Sequence, residues 1–164
     1  MRGKAEFTII VPVLDEAAGI NQMLAKLQKD FSNEAVEVIV VDGDSNGETV
    51  RSIKAANVIT AVSEKGRARQ MNAGAARASS DMLLFLHADT ELPQQALGKV
   101  RRALENYCAG AFDIKFVGNR LFYKMMSFIV SLRSRLTRVP YGDQAQFFRK
   151  DYFERLGGYA DIPI

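Results

Sequence analysis

A chain of 164 residues can bury one substantial core but is too short for two comfortable domains. Its 48% apolar and 25% charged residues are ordinary for a soluble globular protein, and a net charge of +3 gives no reason to expect a nucleic-acid partner. Cys108 is the sole cysteine, which excludes an internal disulfide, suits a reducing compartment and reads as a buried thiol.

The N-terminal apolar stretch Phe7 to Val13 is broken by Pro12 and followed by Asp15 and Glu16. It makes a poor signal peptide and a good first strand. Ile20, Leu24, Leu27 and Phe31 then recur at helical spacing, so an amphipathic helix is expected over Ala17 to Phe31. Val36 to Val41 is a β-branched strand closed by Asp42-Gly43-Asp44-Ser45. A helix is expected over Glu48 to Ala56, a short strand over Val58 to Val62, and an alanine- and arginine-rich helix over Gly66 to Ala78.

The run Met82 to Thr90 is apolar until it ends in His87-Ala88-Asp89, as expected of a strand buried on both faces. Asp89 has two readings: an acid at the ligand-binding lip of the sheet, or the cap of a helix starting near Pro93. That helix should run to about Asn106. A strand over Gly110 to Val117, a long apolar helix over Asn119 to Leu136, a strand over Ala145 to Arg149 and a helical turn over Asp151 to Leu156 complete the chain. No apolar run approaches the ~18 residues needed to span a membrane, and the chain is read as cytoplasmic.

Strands alternating with helices imply crossover units and a mostly parallel sheet with helices on both faces. The strand C-termini then gather on one edge, where every loop carries charge: Asp15-Glu16, Asp42-Gly43-Asp44, Ser63 to Arg67, and His87-Ala88-Asp89. Carboxylates beside a basic loop suit a phosphorylated ligand held through Mg²⁺ or Mn²⁺, because these ions take one or two carboxylates plus substrate phosphates. Lys65, Gly66 and Arg67 could hold the anionic oxygens at a helix start. The bland reading is a solvated first turn, yet cations there oppose the helix dipole by ~0.3–1 kcal/mol each. His87, the only histidine, has no second histidine with which to build a zinc site, and it reads more readily as a packed residue. No Walker loop or glycine-rich dinucleotide fingerprint follows the first strand.

Four segments together resemble one family. These are Ile10 to Glu16, Val40 to Ser45, Gly66 to Gly74, and Leu84 to Asp89, the last like a degenerate Asp-X-Asp motif. The chain resembles the inverting family 2 glycosyltransferases of the GT-A fold, and Tyr141 to Gln144 with Phe153 to Gly158 extend the likeness. It is also similar to the arsenosugar-biosynthesis or selenodomain-associated branch. The resemblance implies a nucleotide-diphosphate sugar donor, UDP-linked in the first instance, with Pro12, Val13 and Glu16 lining the nucleobase pocket. Asp42 and Asp44 would approach the base or ribose, Lys65, Gly66 and Arg67 the base or diphosphate, His87 and Ala88 the ribose, and Asp89 the metal.

Departures are also legible. His87 replaces the first acid of the motif, and Gly43 and Asp44 reverse the usual acid–glycine order. The resemblance further implies a Glu-Asp pair, whose Asp is the general base, soon after the Gly-Gly-aromatic segment. The sequence reaches Ile164 without one, so a shortened form or part of a longer enzyme is expected. Asp143 is the best remaining carboxylate for that catalytic role, although the resemblance puts it near acceptor or sugar. The acceptor is open, either a small molecule or lipid-linked. The 119–136 helix could pack, pair with a second copy, or rest on a membrane. Rival readings are a nucleotide-sugar-binding module without turnover, and a nucleotidyltransferase.

Overall fold

The computed structural model describes residues 5–113, 121–137 and 144–161. Its strands are β1 (Phe7–Val13), β2 (Val36–Asp42), β3 (Val58–Val62), β4 (Met82–Phe85), β5 (Ala109–Gly110) and β6 (Phe147–Arg149). Its helices are α1 (Ile20–Asp30), α2 (Glu48–Arg51), α3 (Arg67–Arg77), α4 (Ala96–Asn106), α5 (Leu121–Thr137) and α6 (Lys150–Arg155). The sheet runs β3-β2-β1-β4-β6-β5. The first four strands are parallel, and β6 lies antiparallel to both β4 and β5.

Strand β1 is buried along its whole length because it is central, and its side chains feed two cores. Phe7, Ile9, Val11 and Val13 meet Ile20, Leu24 and Leu27 of α1 and Leu97, Val100 and Leu104 of α4. On the other face Ile10 joins Ile39, Val41, Leu83 and Phe85 beneath Met71 and Ala75 of α3 and Phe153 of α6. A period of two on the strand thus supplies both helical layers. Helix α3 lies close to the sheet at Gly74, where an added Cβ would come within 2.4 Å of the Ile10 side chain. Asn72, two residues earlier, donates to the Tyr159 carbonyl and accepts from the Tyr159 amide, both at 2.9 Å. Tyr159 packs edge-on against Phe85, Phe148 and Phe153, and burial pushes its hydroxyl above the usual tyrosine range.

Several sequence expectations need correction. The helix expected over Glu48 to Ala56 ends at Arg51, because the Asn21 side chain of α1 binds both the Ser52 carbonyl and the Lys54 amide, at 2.9 Å each. The strand expected from Gly110 begins at Ala109 and spans two residues, and positions 114–117 lie outside the described residues. The strand expected over Ala145 to Arg149 is confined to Phe147–Arg149. Cys108 is exposed, not buried, since it precedes a short strand at the rim of the sheet.

Candidate functional site

Because β1, β2 and β4 are parallel, their C-termini emerge on one edge, with Val13 opposite Asp42 and Ile10 opposite Phe85. Strand order reverses direction between β1 and β4, the switch point where open α/β sheets leave a crevice for ligands. The Leu86 amide extends the ladder by bonding the Ile10 carbonyl at 2.9 Å, and the chain then turns, with the Thr90 amide on the His87 carbonyl at 3.0 Å. Asp89 sits in that turn. Helix α4 starts only at Ala96, with Gln95 as its N-cap residue, so Asp89 does not cap it.

Asp42 is fully buried at the end of β2. One carboxylate oxygen accepts the Asp44 amide at 3.0 Å; the other accepts the amides of Thr49 at 2.9 Å and Val50 at 3.3 Å. The carboxylate therefore ties the turn after β2 to the start of α2. The Thr49 hydroxyl continues the tie to β1 by accepting the Glu16 amide at 3.1 Å. Beneath the same turn, the buried Gln70 amide donates to the carbonyls of Val13 at 2.6 Å and Val41 at 2.9 Å. A Cβ on residue 43 would lie 2.9 Å from that Gln70 side chain, which accounts for Gly43 where related motifs carry an acid. Sequence reasoning missed Gln70. Its signal was a polar residue one turn before Gly74, on the face of α3 that also carries Met71 and Ala75.

Above this floor lies a hollow of about 510 Å³ lined by Leu14, Asp15, Gly43, Asp44, Ser45, Ser63, Glu64 and Lys65. Three strand-end loops thus converge, and Asp44 and Lys65 share one cavity. Asp15, Ser45, Ser63 and Glu64 complete the lining, although they were not singled out as binding residues from the sequence. Glu64 is engaged by Arg69, which also bonds Asp161 at 2.7 Å. These acids hold the Arg69 guanidinium above its usual range, Asp161 most strongly. Lys65 and Arg67 are exposed and form no ion pair among the described residues, so their charge faces outward at the rim.

Pro12 and Val13 are buried within the sheet, and His87 is 6% exposed beneath the rim. Glu16 is exposed where α1 begins, and Gly66 precedes the first residue of α3. Ala88 and Asp89 line a second hollow of about 280 Å³ with Gly19, Met23, Lys26 and Leu92. Asp42, Asp44 and Asp89 therefore share an edge but not a single cavity. Asp143 lies outside the described residues.

Among the described residues no group of three or more His, Cys, Asp or Glu side chains could cage a metal ion. Asp89 nevertheless suits a substrate-bridged cation. It is exposed, and among the described residues its carboxylate meets only the Thr90 hydroxyl, at a long 3.4 Å. One free carboxylate plus ligand phosphates is the donor set that Mg²⁺ or Mn²⁺ commonly uses.

The order of the parallel strands, the helices on both faces and the ligand edge at the switch point define a GT-A-like α/β fold. The chain belongs to glycosyl transferase family 2, whose profile matches residues 8–160. Over 116 residues it is 25% identical to a dolichol-phosphate mannosyltransferase of Pyrococcus furiosus, an alignment covering 67% of this chain and 33% of that protein. In fold it is similar to a mannosyltransferase from Pyrobaculum calidifontis solved with GDP-Man and Mn²⁺ (TM-score 0.70, 21% identity, 97% of this chain and 48% of that one). It is likewise similar to mannosyl-3-phosphoglycerate synthase from Rubrobacter xylanophilus (TM-score 0.60, 15% identity, 91% and 55%). The chain thus spans a third of the curated relative and about half of these solved structures.

Proposed function

We propose that this chain binds the donor for an inverting, metal-assisted glycosyl transfer, in which a nucleoside diphosphate sugar passes its sugar to an acceptor hydroxyl. One observation carries the reading: the 510 Å³ hollow built by three strand-end loops, on the same edge of the sheet as an exposed acid that follows β4. In the hollow, Asp15, Asp44, Ser45 and Ser63 offer acceptors for base N–H groups and ribose hydroxyls. Asp42 acts from below, holding the turn that presents Gly43 and Asp44. Lys65 and Arg67 meet the diphosphate at the rim, where an anion offsets their unfavourable placement at a helix start. Asp89 would hold Mg²⁺ or Mn²⁺ together with the diphosphate. When bound, the cation neutralises charge on the departing nucleoside diphosphate.

Donor chemistry follows family 2 and the GDP-Man and Mn²⁺ bound by the Pyrobaculum protein; UDP, implied by the sequence motifs, is the other base to test. Transfer with inversion also needs a base within hydrogen-bond reach of the acceptor hydroxyl, a contribution of ~10²–10⁴ in rate. Asp143 is proposed for the acceptor side of the site.

Calorimetric titration with UDP and GDP, each with and without Mn²⁺, tests the reading. Metal-dependent binding of at least one nucleotide, lost in Asp89→Ala, is expected. Absence of binding to either would remove the donor site. Binding indifferent to both Mn²⁺ and the substitution would remove the metal role. Donor hydrolysis and transfer, measured for the chain and for Asp143→Asn, separate an enzyme from a binding module.

A further inference from the structure

Asp15 lines the 510 Å³ hollow just after β1 with its backbone in the left-handed region, at φ 58°, although it is not a glycine. A conformation of that kind persists when its surroundings over-determine it, and it concentrates at functional sites. Here the surroundings hold it on both sides. Before it, the Val13 carbonyl accepts the Gly43 amide at 2.9 Å and the Gln70 side-chain amide at 2.6 Å. After it, the Glu16 amide donates to the Thr49 hydroxyl at 3.1 Å, and the Glu16 carbonyl accepts the Gly19 and Ile20 amides. Only Leu14 and Asp15 lie between the two clamps.

Both clamping side chains come from elements distant in sequence, and both are buried, Gln70 at 3% and Thr49 at 1% exposure. The Gln70 amide also donates to the Val41 carbonyl at 2.9 Å, so it binds the ends of β1 and β2 together. A neutral group with two N–H donors matches two buried carbonyls, whereas a carboxylate of the same size would repel them. Asp15 itself is exposed, and its carboxylate accepts hydrogen bonds but repels phosphate. It therefore suits the N–H and hydroxyl groups of a nucleoside, while Lys65 and Arg67 suit the diphosphate.

We propose that Gln70 and Thr49 are positioning residues that hold Asp15 in place for the nucleoside half of the bound nucleotide, an inference that rests on the donor-site reading above. The probes are GDP, UDP and inorganic pyrophosphate, each titrated calorimetrically in Mn²⁺. Pyrophosphate lacks base and ribose, so it registers the diphosphate half alone. Gln70→Met should weaken nucleotide binding by about tenfold or more, and the nearly isosteric Thr49→Val by about threefold. Pyrophosphate affinity should stay within about twofold of the parent in both variants. Asp15→Ala should show the same selectivity. Adding Thr49→Val to Asp15→Ala should then cost less than about twofold more, because the hydroxyl acts through the carboxylate it positions.

Should Gln70→Met lose its circular dichroism spectrum, Thr49→Val and its combination with Asp15→Ala decide the matter. Equal losses for nucleotide and pyrophosphate, unchanged nucleotide affinity, or additive losses in the double variant would overturn the proposal. So would a parent protein that binds a nucleotide but not pyrophosphate, since the two halves would then not bind separately. A parent that binds neither nucleotide removes the donor site itself, and this inference with it.

Discussion

Asp42 ends β2 and Asp89 follows β4, parallel strands on either side of β1, yet the surroundings of the two acids are opposite. Asp42 is fully buried, and three main-chain amides occupy its two oxygens. Asp89 is exposed and touches one hydroxyl at 3.4 Å. The first acid is committed to the chain's own backbone; the second has capacity to spare for something outside it. The two acids thus divide into one that builds the rim and one left exposed on it, and burial with hydrogen-bond supply decides which is which.

The sharpest way to break this contrast is Asp42→Ala. It strips three amides of their acceptor in a buried setting, and a loss of about 3 kcal/mol of folding stability is expected from the urea midpoint. A loss below ~1 kcal/mol would mean the carboxylate is not structural. Gly43→Ala probes the same floor one residue on. The new methyl must displace the Gln70 amide from the Val13 and Val41 carbonyls, costing about 1–3 kcal/mol by the same measurement.

Asp89→Ala should invert the pattern. Stability should stay within ~0.5 kcal/mol of the parent, while Mn²⁺-dependent affinity for a nucleoside diphosphate falls at least tenfold, or ~1.4 kcal/mol, by calorimetry. An equal fall in stability would erase the distinction between the two acids.

Glu6 supplies a third acid, before β1 and away from the ligand edge. Its carboxylate receives Arg101 at 2.6 and 2.7 Å, and that hydrogen bonding holds it below the usual carboxylate range. A depressed folded-state value means its contribution is complete above the unfolded carboxylate range and is lost as pH falls through the folded value. Glu6 and Arg101 are both more than a third exposed, so the effect is small. Glu6→Gln should flatten slightly the acid limb of a melting-temperature profile without affecting nucleotide binding. An unchanged acid limb would remove the coupling.

Much of this was readable beforehand, for identifiable reasons. The apolar run in β1 and the β-branched run in β2 announced strands, and the continuous apolar run into β4 announced a strand buried on both faces, because such burial removes polar alternation. The heptad-like recurrence of Ile20, Leu24 and Leu27 announced α1. The helix expected to reach Ala56 failed at Arg51 because Asn21, thirty-one residues before Ser52, captures the chain there, and no local pattern encodes that bond. Gln70 was overlooked for the same reason: its partners are carbonyls at the ends of two strands distant in sequence.

The sequence by itself determined the alternation of strands and helices, the charged loops at the strand ends and the family to which they belong, because hydrophobic period and turn chemistry are local. Only the tertiary structure decided that Asp42 is a buried tie while Asp89 is an exposed acid. It alone placed Asp44 and Lys65 in one cavity and Asp89 in another. Those outcomes depend on which distant amides and carbonyls meet across the sheet edge, and long-range hydrogen bonding and burial are properties of the packed chain.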